Sequence, residues 1–197
     1  MAENKIKYGL KNVYYAVATI ASNGSATYGT PVAIPGAVNL SLSPQGDTTK
    51  FYADNIVYWT GVNNLGYEGD LEIARIPDSF KTDILGYANS NKDVLLEDVN
   101  APAVHFALMF QFEGDARAVK HVLYNCVATR ASLNGATKNE NIEPQTETLT
   151  ITASSIFVSG LGTDGMDIVK GETVESTDST TYSSWTSTVY VPSALHT

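Results

Sequence analysis

Three carboxylates are the first place to look for chemistry in this chain. Glu68, Asp70 and Glu72 share one face of an expected strand, opposite Tyr67, Leu71 and Ile73. Residues two apart on a strand stand roughly 7 Å from one another, a separation that a glycosidase pair could use. Such pairs normally come from different strands inside an aromatic cleft. A solvated acidic face, or an acidic face with a mechanical purpose, therefore competes with that chemistry. Gly160-Leu-Gly162-Thr-Asp-Gly165 has the spacing of the dinucleotide fingerprint. Its glycines would have to open a helix whose N-terminus holds a pyrophosphate. Here Asp164 would repel that anion and residues 166–171 are short and β-branched, so a flexible turn is expected. His105, His121 and His196 lack the i, i+4 spacing of a helical metal site. Cys126 is the single cysteine, which excludes an intrachain disulfide and a Cys-rich zinc centre; its apolar surroundings, 122–128, read as core. With no nucleophile motif, phosphate loop or Ser/His/Asp order, the expectation is no catalytic, cofactor or metal site.

The elements that would position these residues are mainly strands. Residues 13–20 are rich in β-branched and aromatic types, and Asn23-Gly24 is expected to supply the positive-φ pair of a tight hairpin. The chain would return through 32–42, with Val38, Leu40 and Leu42 on one face and Asn39 and Ser41 on the other, until 43–47 break it. Further strands are expected at 51–59, 66–76, 105–113, 119–129 and 147–154. In 105–113, Phe106, Leu108, Phe110 and Phe112 oppose His105, Ala107, Met109 and Gln111; in 147–154, Leu149 and Ile151 oppose Thr148, Thr150 and Thr152. One helix is predicted over about 77–85, from Pro77 near its first position, Asp78 in its first turn, a Phe80/Ile84/Leu85 stripe and Gly86 as the stop. A second is expected around 179–185, anchored by Tyr182 and Trp185. The fold class is mainly β: an antiparallel β-sandwich or barrel of about seven or eight strands with one short flanking α-helix.

Composition narrows the function. At 197 residues and 21.1 kDa the chain suits one domain, with a compact surface of roughly 9,000 Å². Its 12 Lys+Arg and 21 Asp+Glu give a net charge of −9. Nucleic-acid binders gain affinity by releasing counterions with Lys and Arg, so this balance argues strongly against gripping DNA but not against standing near it. From residue 139 onward eight acids face Lys170 alone. Charged residues are 17%, below the roughly 25% of ordinary domains, and Ser, Thr and Asn take their place as 51 of 197 residues. No apolar stretch reaches the ~18 residues of a membrane span. Met-Ala-Glu-Asn-Lys does not read as a signal peptide, so synthesis in a cytoplasm is expected.

Two segments do not behave like core strands. Residues 51–59 put Phe51, Val57 and Trp59 on one face and Tyr52, Ile56 and Tyr58 on the other. An extended segment that is apolar on both faces needs cover on both. It is either a central buried strand or an arm buried against another subunit. Residues 130–146 form a polar stretch longer than ordinary loops, with Arg130, Asn134, Lys138 and Glu140 along it.

The order of these features carries a resemblance: a hairpin, the Pro44-Gln-Gly-Asp47 turn, Phe51-Tyr-Ala-Asp-Asn-Ile-Val-Tyr58, Gly66-Tyr-Glu-Gly-Asp-Leu-Glu-Ile73, Ile76-Pro-Asp-Ser-Phe80, 106–114, His121-Val-Leu-Tyr-Asn-Cys126 and Glu143-Pro-Gln-Thr-Glu-Thr-Leu-Thr150. Over about residues 5–158, with an echo in 182–192, the chain resembles the major tail proteins, or tail tube proteins, of phages with long non-contractile tails and of related prophages. The resemblance implies a structural virion protein, made in the host cytoplasm, whose β-sandwich assembles as stacked hexameric rings around the ejected DNA. It implies partners in the tape measure, tail terminator and baseplate or tail-tip proteins, with DNA passing through unbound and no membrane. It brings no catalytic residues. On this reading 1–158 is the tail-tube domain, with an inter-ring assembly arm at 47–64 and a second assembly loop at 130–146. Residues 159–197 are an acidic, Ser/Thr-rich extension docked on that domain, and Glu68, Asp70 and Glu72 are candidates to line the lumen. A β-sandwich carbohydrate-binding or adhesin module, using Tyr52, Tyr58 and Trp59 as an exposed platform, is the alternative.

Overall fold

Strands with one apolar face must pool those faces into a core. The computed structural model, which describes residues 4–137 and 144–193, shows how this chain does so. In chain order the elements are β1 (Lys7–Ile20), β2 (Ala26–Tyr28), β3 (Val32–Ala33), β4 (Ala37–Gln45), β5 (Thr48–Ala53), β6 (Ile56–Val62), β7 (Gly66–Ile73), α1 (Asp78–Asp83), β8 (Tyr87–Asn89), β9 (Leu95–Glu97), β10 (Phe106–Gly114), β11 (Val119–Ala128), β12 (Glu147–Ser154), β13 (Ile156–Val158), β14 (Met166–Ile168), β15 (Lys170–Glu172) and α2 (Ser179–Ser184). The main sheet runs β2-β1-β10-β11-β12-β7-β4, with β3 added to β1 and β15 to β11. Its pairings are antiparallel. The fold is therefore mainly β, as the alternation predicts, with two short helices.

The sheet curls, since β1 and β4 approach each other although they lie far apart along its path. Enclosed on one face are Val13, Tyr15, Leu71, Ile73, Phe106, Leu108, Leu123, Leu149 and Ile151, capped by Phe80, Ile84 and Leu85 from α1 and the residues after it. At six residues α1 is shorter than the expected 77–85 and could not persist alone. Packing holds it: the Phe80 ring stands edge-on to Tyr15 at 5.0 Å and to Phe106 at 5.6 Å, and Tyr15 Oη donates to Asp83 Oδ2 at 2.8 Å.

The opposite face is divided. Over β1, β10 and β11, the residues Ala16, Ala107, Met109, Val122 and Tyr124 are covered by Ile156, Val158, Leu161, Trp185 and Val189 from the C-terminal part of the chain. Polar groups fasten that cover: Asp178 caps α2 by accepting from the Thr181 N–H, Tyr182 Oη donates to the Ala118 carbonyl, and Trp185 Nε1 donates to the His121 carbonyl. β10 is consequently buried on both faces. Over β12, β7 and β4 the same face stays polar and largely exposed.

Five local expectations need correction. The first hairpin turns through a three-residue loop in which Gly24 alone has a positive φ, with Gly24 N–H donating to the Ala21 carbonyl; Asn23 and Gly24 are not a positive-φ pair. The return strand 32–42 is two strands, because Pro35 and Gly36 bend the chain so that β3 pairs with β1 while β4 crosses to β7. β4 then continues through Pro44, since an edge strand tolerates a missing N–H, and the break comes at Gly46. Val38 falls at the irregularity between Ala37 and Asn39 and is 52% exposed rather than facing inward with Leu40 and Leu42. Finally, 51–59 is not one extended segment. Asp54 and Asn55 both take positive φ and fold it into the hairpin of β5 and β6.

Candidate assembly surfaces

The β5–β6 hairpin prolongs the β4–β7 ribbon beyond the core. Backbone hydrogen bonds from Leu65 N–H to the Gln45 carbonyl and from Asn63 N–H to the Asp47 carbonyl join the two ladders. Gly46 makes the join possible: its φ is +151°, and a Cβ there would stand 1.9 Å from the Asn63 carbonyl oxygen. Beyond it Phe51 pairs with Trp59, Tyr52 with Val57 and Ala53 with Ile56, while the irregularity between the first two pairs leaves Tyr58 as the extra residue. Phe51, Tyr52, Ile56, Val57, Tyr58 and Trp59 are between 45% and 69% exposed. In the isolated chain the segment is thus not a central buried strand. It is a two-stranded arm whose apolar side chains lack cover.

The acidic face is built by three strands in register. Glu72 lies between Asn39 of β4 and Thr148 of β12, Asp70 between Ser41 and Thr150, and Glu68 between Ser43 and Thr152. Each rung therefore sets one carboxylate between two small polar side chains. Thr150 Oγ1 donates to Asp70 Oδ1 at 2.8 Å and Thr146 Oγ1 to Glu72 Oε1 at 2.6 Å. Among the described residues none of the three carboxylates forms an ion pair. Their neighbours Leu71 and Ile73 are fully buried on the other face, as alternation predicts. What the sequence reading did not assemble is the triple rung. The polar alternation of Asn39, Ser41 and Thr148, Thr150, Thr152 was visible, but not that β4 and β12 flank β7.

The second loop is described only in part, and Lys138 and Glu140 lie outside the described residues, as does His196. Arg130 stands with Nε 2.9 Å from Glu97 Oε1 and donates through Nη2 to the Asp98 carbonyl at 2.7 Å. Asn134 Nδ2 donates to Ser132 Oγ within the loop.

Cys126 and His121 are both taken up in packing. Burial pushes the Cys126 thiol up to about 12, leaving no thiolate at neutral pH. His121 is stacked on Phe110 at 5.0 Å, and burial pulls it down to about 4 against the opposing pull of Glu172. Its 3.3 Å contact with Glu172 meets the distance for an ion pair. Near neutral pH, however, the imidazole is uncharged, so the contact is not an ion pair there. Gly160, Gly162 and Gly165 take positive φ in the turn between β13 and β14, and a strand rather than a helix follows.

An uncovered apolar arm and an open polar sheet face thus occur together on one chain. Comparison with family models gives a match to the family described as phage tail tube protein over residues 2–172. The chain belongs to the phage tail tube proteins. The match runs from the N-terminal residues through β15 and takes in the arm, the carboxylate rungs and the second loop. No curated protein matches the chain. As a tail tube protein it is a structural component of the phage tail and assembles with itself and with other tail proteins. Among the described residues no helix is long and apolar enough to cross a membrane.

Proposed function

We propose that this tail tube protein assembles as hexameric rings that stack into the tube through which DNA is ejected, and that it has no catalytic role. The observation that carries the reading is the pairing of an uncovered apolar arm with an open, acidic sheet face on one chain. An arm that leaves Phe51, Tyr52, Ile56, Val57, Tyr58 and Trp59 in water is costly in a free monomer, at roughly 25 cal/mol for each Å² of apolar surface. Contact between rings would recover that loss. The free edge of β4 offers a neighbour within the ring a ladder to join.

Glu68, Asp70 and Glu72 are assigned to the lumen. Duplex DNA carries one charge per ~1.7 Å, and a basic wall would hold it. A wall of carboxylates and small hydroxyls repels DNA weakly, over about 8 Å at physiological salt, and leaves a hydrated gap for passage. The tape measure, terminator and tail-tip proteins would then meet the same tube at its lumen and its ends. Negative-stain microscopy of the purified chain at high concentration tests this reading. Hollow tubes of uniform diameter are expected. Monomers that bind oligosaccharides through Tyr52, Tyr58 and Trp59 would favour a carbohydrate-binding module instead.

A further inference from the structure

The arm is not the only apolar surface left open. The hairpin of β8 and β9 and the turn that follows present Val94 at 53%, Leu96 at 53% and Val99 at 82% exposure. This hairpin is braced from several sides. Ser90 Oγ accepts from the Val94 N–H at 3.0 Å, Tyr87 Oη donates to Glu97 Oε2 at 3.0 Å, and Arg130 holds both Glu97 and the Asp98 carbonyl. Leu133, 95% exposed, follows three residues after Arg130. A braced backbone carrying uncovered aliphatic side chains is the arrangement of a preformed receiving surface, since little ordering remains to oppose docking.

We propose that this braced hairpin, with the start of the 130–137 loop, is the seat on which the arm of a second copy of the chain docks. The inference rests on the tube-building reading. A tube made of one kind of chain stacks through heterologous contacts, in which a surface on one copy must meet a different surface on the next. Both the arm and the β8–β9 hairpin are open in the same chain, so neither covers the other within it. The six arm side chains present roughly 700 Å², close to the ~800 Å² that each partner contributes to a standard interface. Away from the arm and its root, the other large apolar side chains exposed among the described residues occur singly or in sequence-local pairs, such as Ile6 with Tyr8 and Tyr190 with Val191. The β8–β9 hairpin is where three fall within six positions, with Arg130 tying a fourth segment alongside. Arg130 acts here as a positioning residue, through Glu97 and Asp98.

Cysteine cross-linking in assembled tubes tests the seat, because Cys126 is fully buried and does not compete. Chains carrying Tyr58→Cys and chains carrying Leu96→Cys are mixed, assembled and oxidised. The expected result is a disulfide-linked dimer in the mixture and at least tenfold less of it in either variant assembled alone. Tubes that form without that dimer overturn the seat while leaving the tube reading intact. So does Tyr58→Cys cross-linking to itself, which would mean arm against arm, or preferring a Tyr8→Cys partner. Chains that never form tubes, unmodified chain included, overturn the tube reading and the seat together. A second variant, Arg130→Met, removes the brace but none of the docking side chains. It is expected to keep the melting temperature of the free chain and to lower the Tyr58–Leu96 cross-link severalfold; an unchanged yield contradicts the positioning role.

Discussion

His121 shows burial overriding pairing at the level of one residue. Its imidazole is held down to about 4 from an ordinary 6.5, chiefly by desolvation, although Glu172 pulls the other way. Between those values the unfolded chain binds the proton that the folded chain refuses, so stability falls as pH drops from 6.5 towards 4, by at most about 1.4 kcal/mol per pH unit. Glu172, held below its ordinary 4.5 first by Lys170, loses its contribution only at lower pH. Denaturant unfolding at pH 7 and pH 5 should therefore show wild type losing on the order of 2 kcal/mol, with the loss reduced in His121→Gln. Equal losses in both proteins would mean that the imidazole titrates freely. The carboxylate rungs belong to this scale as well. That Glu68, Asp70 and Glu72 share a face opposite Leu71 and Ile73 was legible, because the side-chain period of a strand is two. Which polar residues stand beside them was not, because register between distant strands is fixed by the closing core rather than by local pattern.

Among the elements, the arm departs furthest from what its sequence suggests. Asp54 and Asn55 sit inside an apolar run, yet their short polar side chains tolerate positive φ and turn the chain back on itself. A turn signal flanked by Tyr, Ile and Val reads as a strand interior until pairing is seen. Helix α1 was more legible, because Pro77, Asp78 and Gly86 mark its surroundings with independent signals, although its length depended on Phe80 finding Tyr15 and Phe106. Since the arm lies outside both apolar clusters, replacing 51–58 with a short Gly/Ser turn should leave the unfolding free energy within about 0.5 kcal/mol of wild type and abolish tubes. Unfolding of that variant in circular dichroism would show that the arm supports the core. Gly46→Ala is the subtler probe. Its Cβ would meet the Asn63 carbonyl oxygen, so the arm should be re-aimed and tube yield should fall while the main sheet persists; tubes at wild-type yield would show that the arm's direction does not matter.

As a whole molecule, the chain exposes 12477 Å², against roughly 9,000 Å² for a compact protein of its mass. The exposed side chains of the arm and of the β8–β9 hairpin contribute to that excess. The covering of β10 and β11 by Leu161, Trp185 and Val189 was only partly legible. Tyr182 and Trp185 signalled docking, but the small and flexible side chains that receive it, Ala16, Ala107 and Met109, carry no pattern that names a partner. The proposed tube makes two geometrical demands of the chain: the arm crosses the ring boundary, and the carboxylate rungs face the channel. A cryo-electron microscopy reconstruction of tubes at side-chain resolution measures both at once. It should show six chains per ring, Glu68, Asp70 and Glu72 lining the lumen, and Phe51 and Trp59 buried against the next ring. Carboxylates on the outer wall, or arms left in solvent between intact rings, would contradict it.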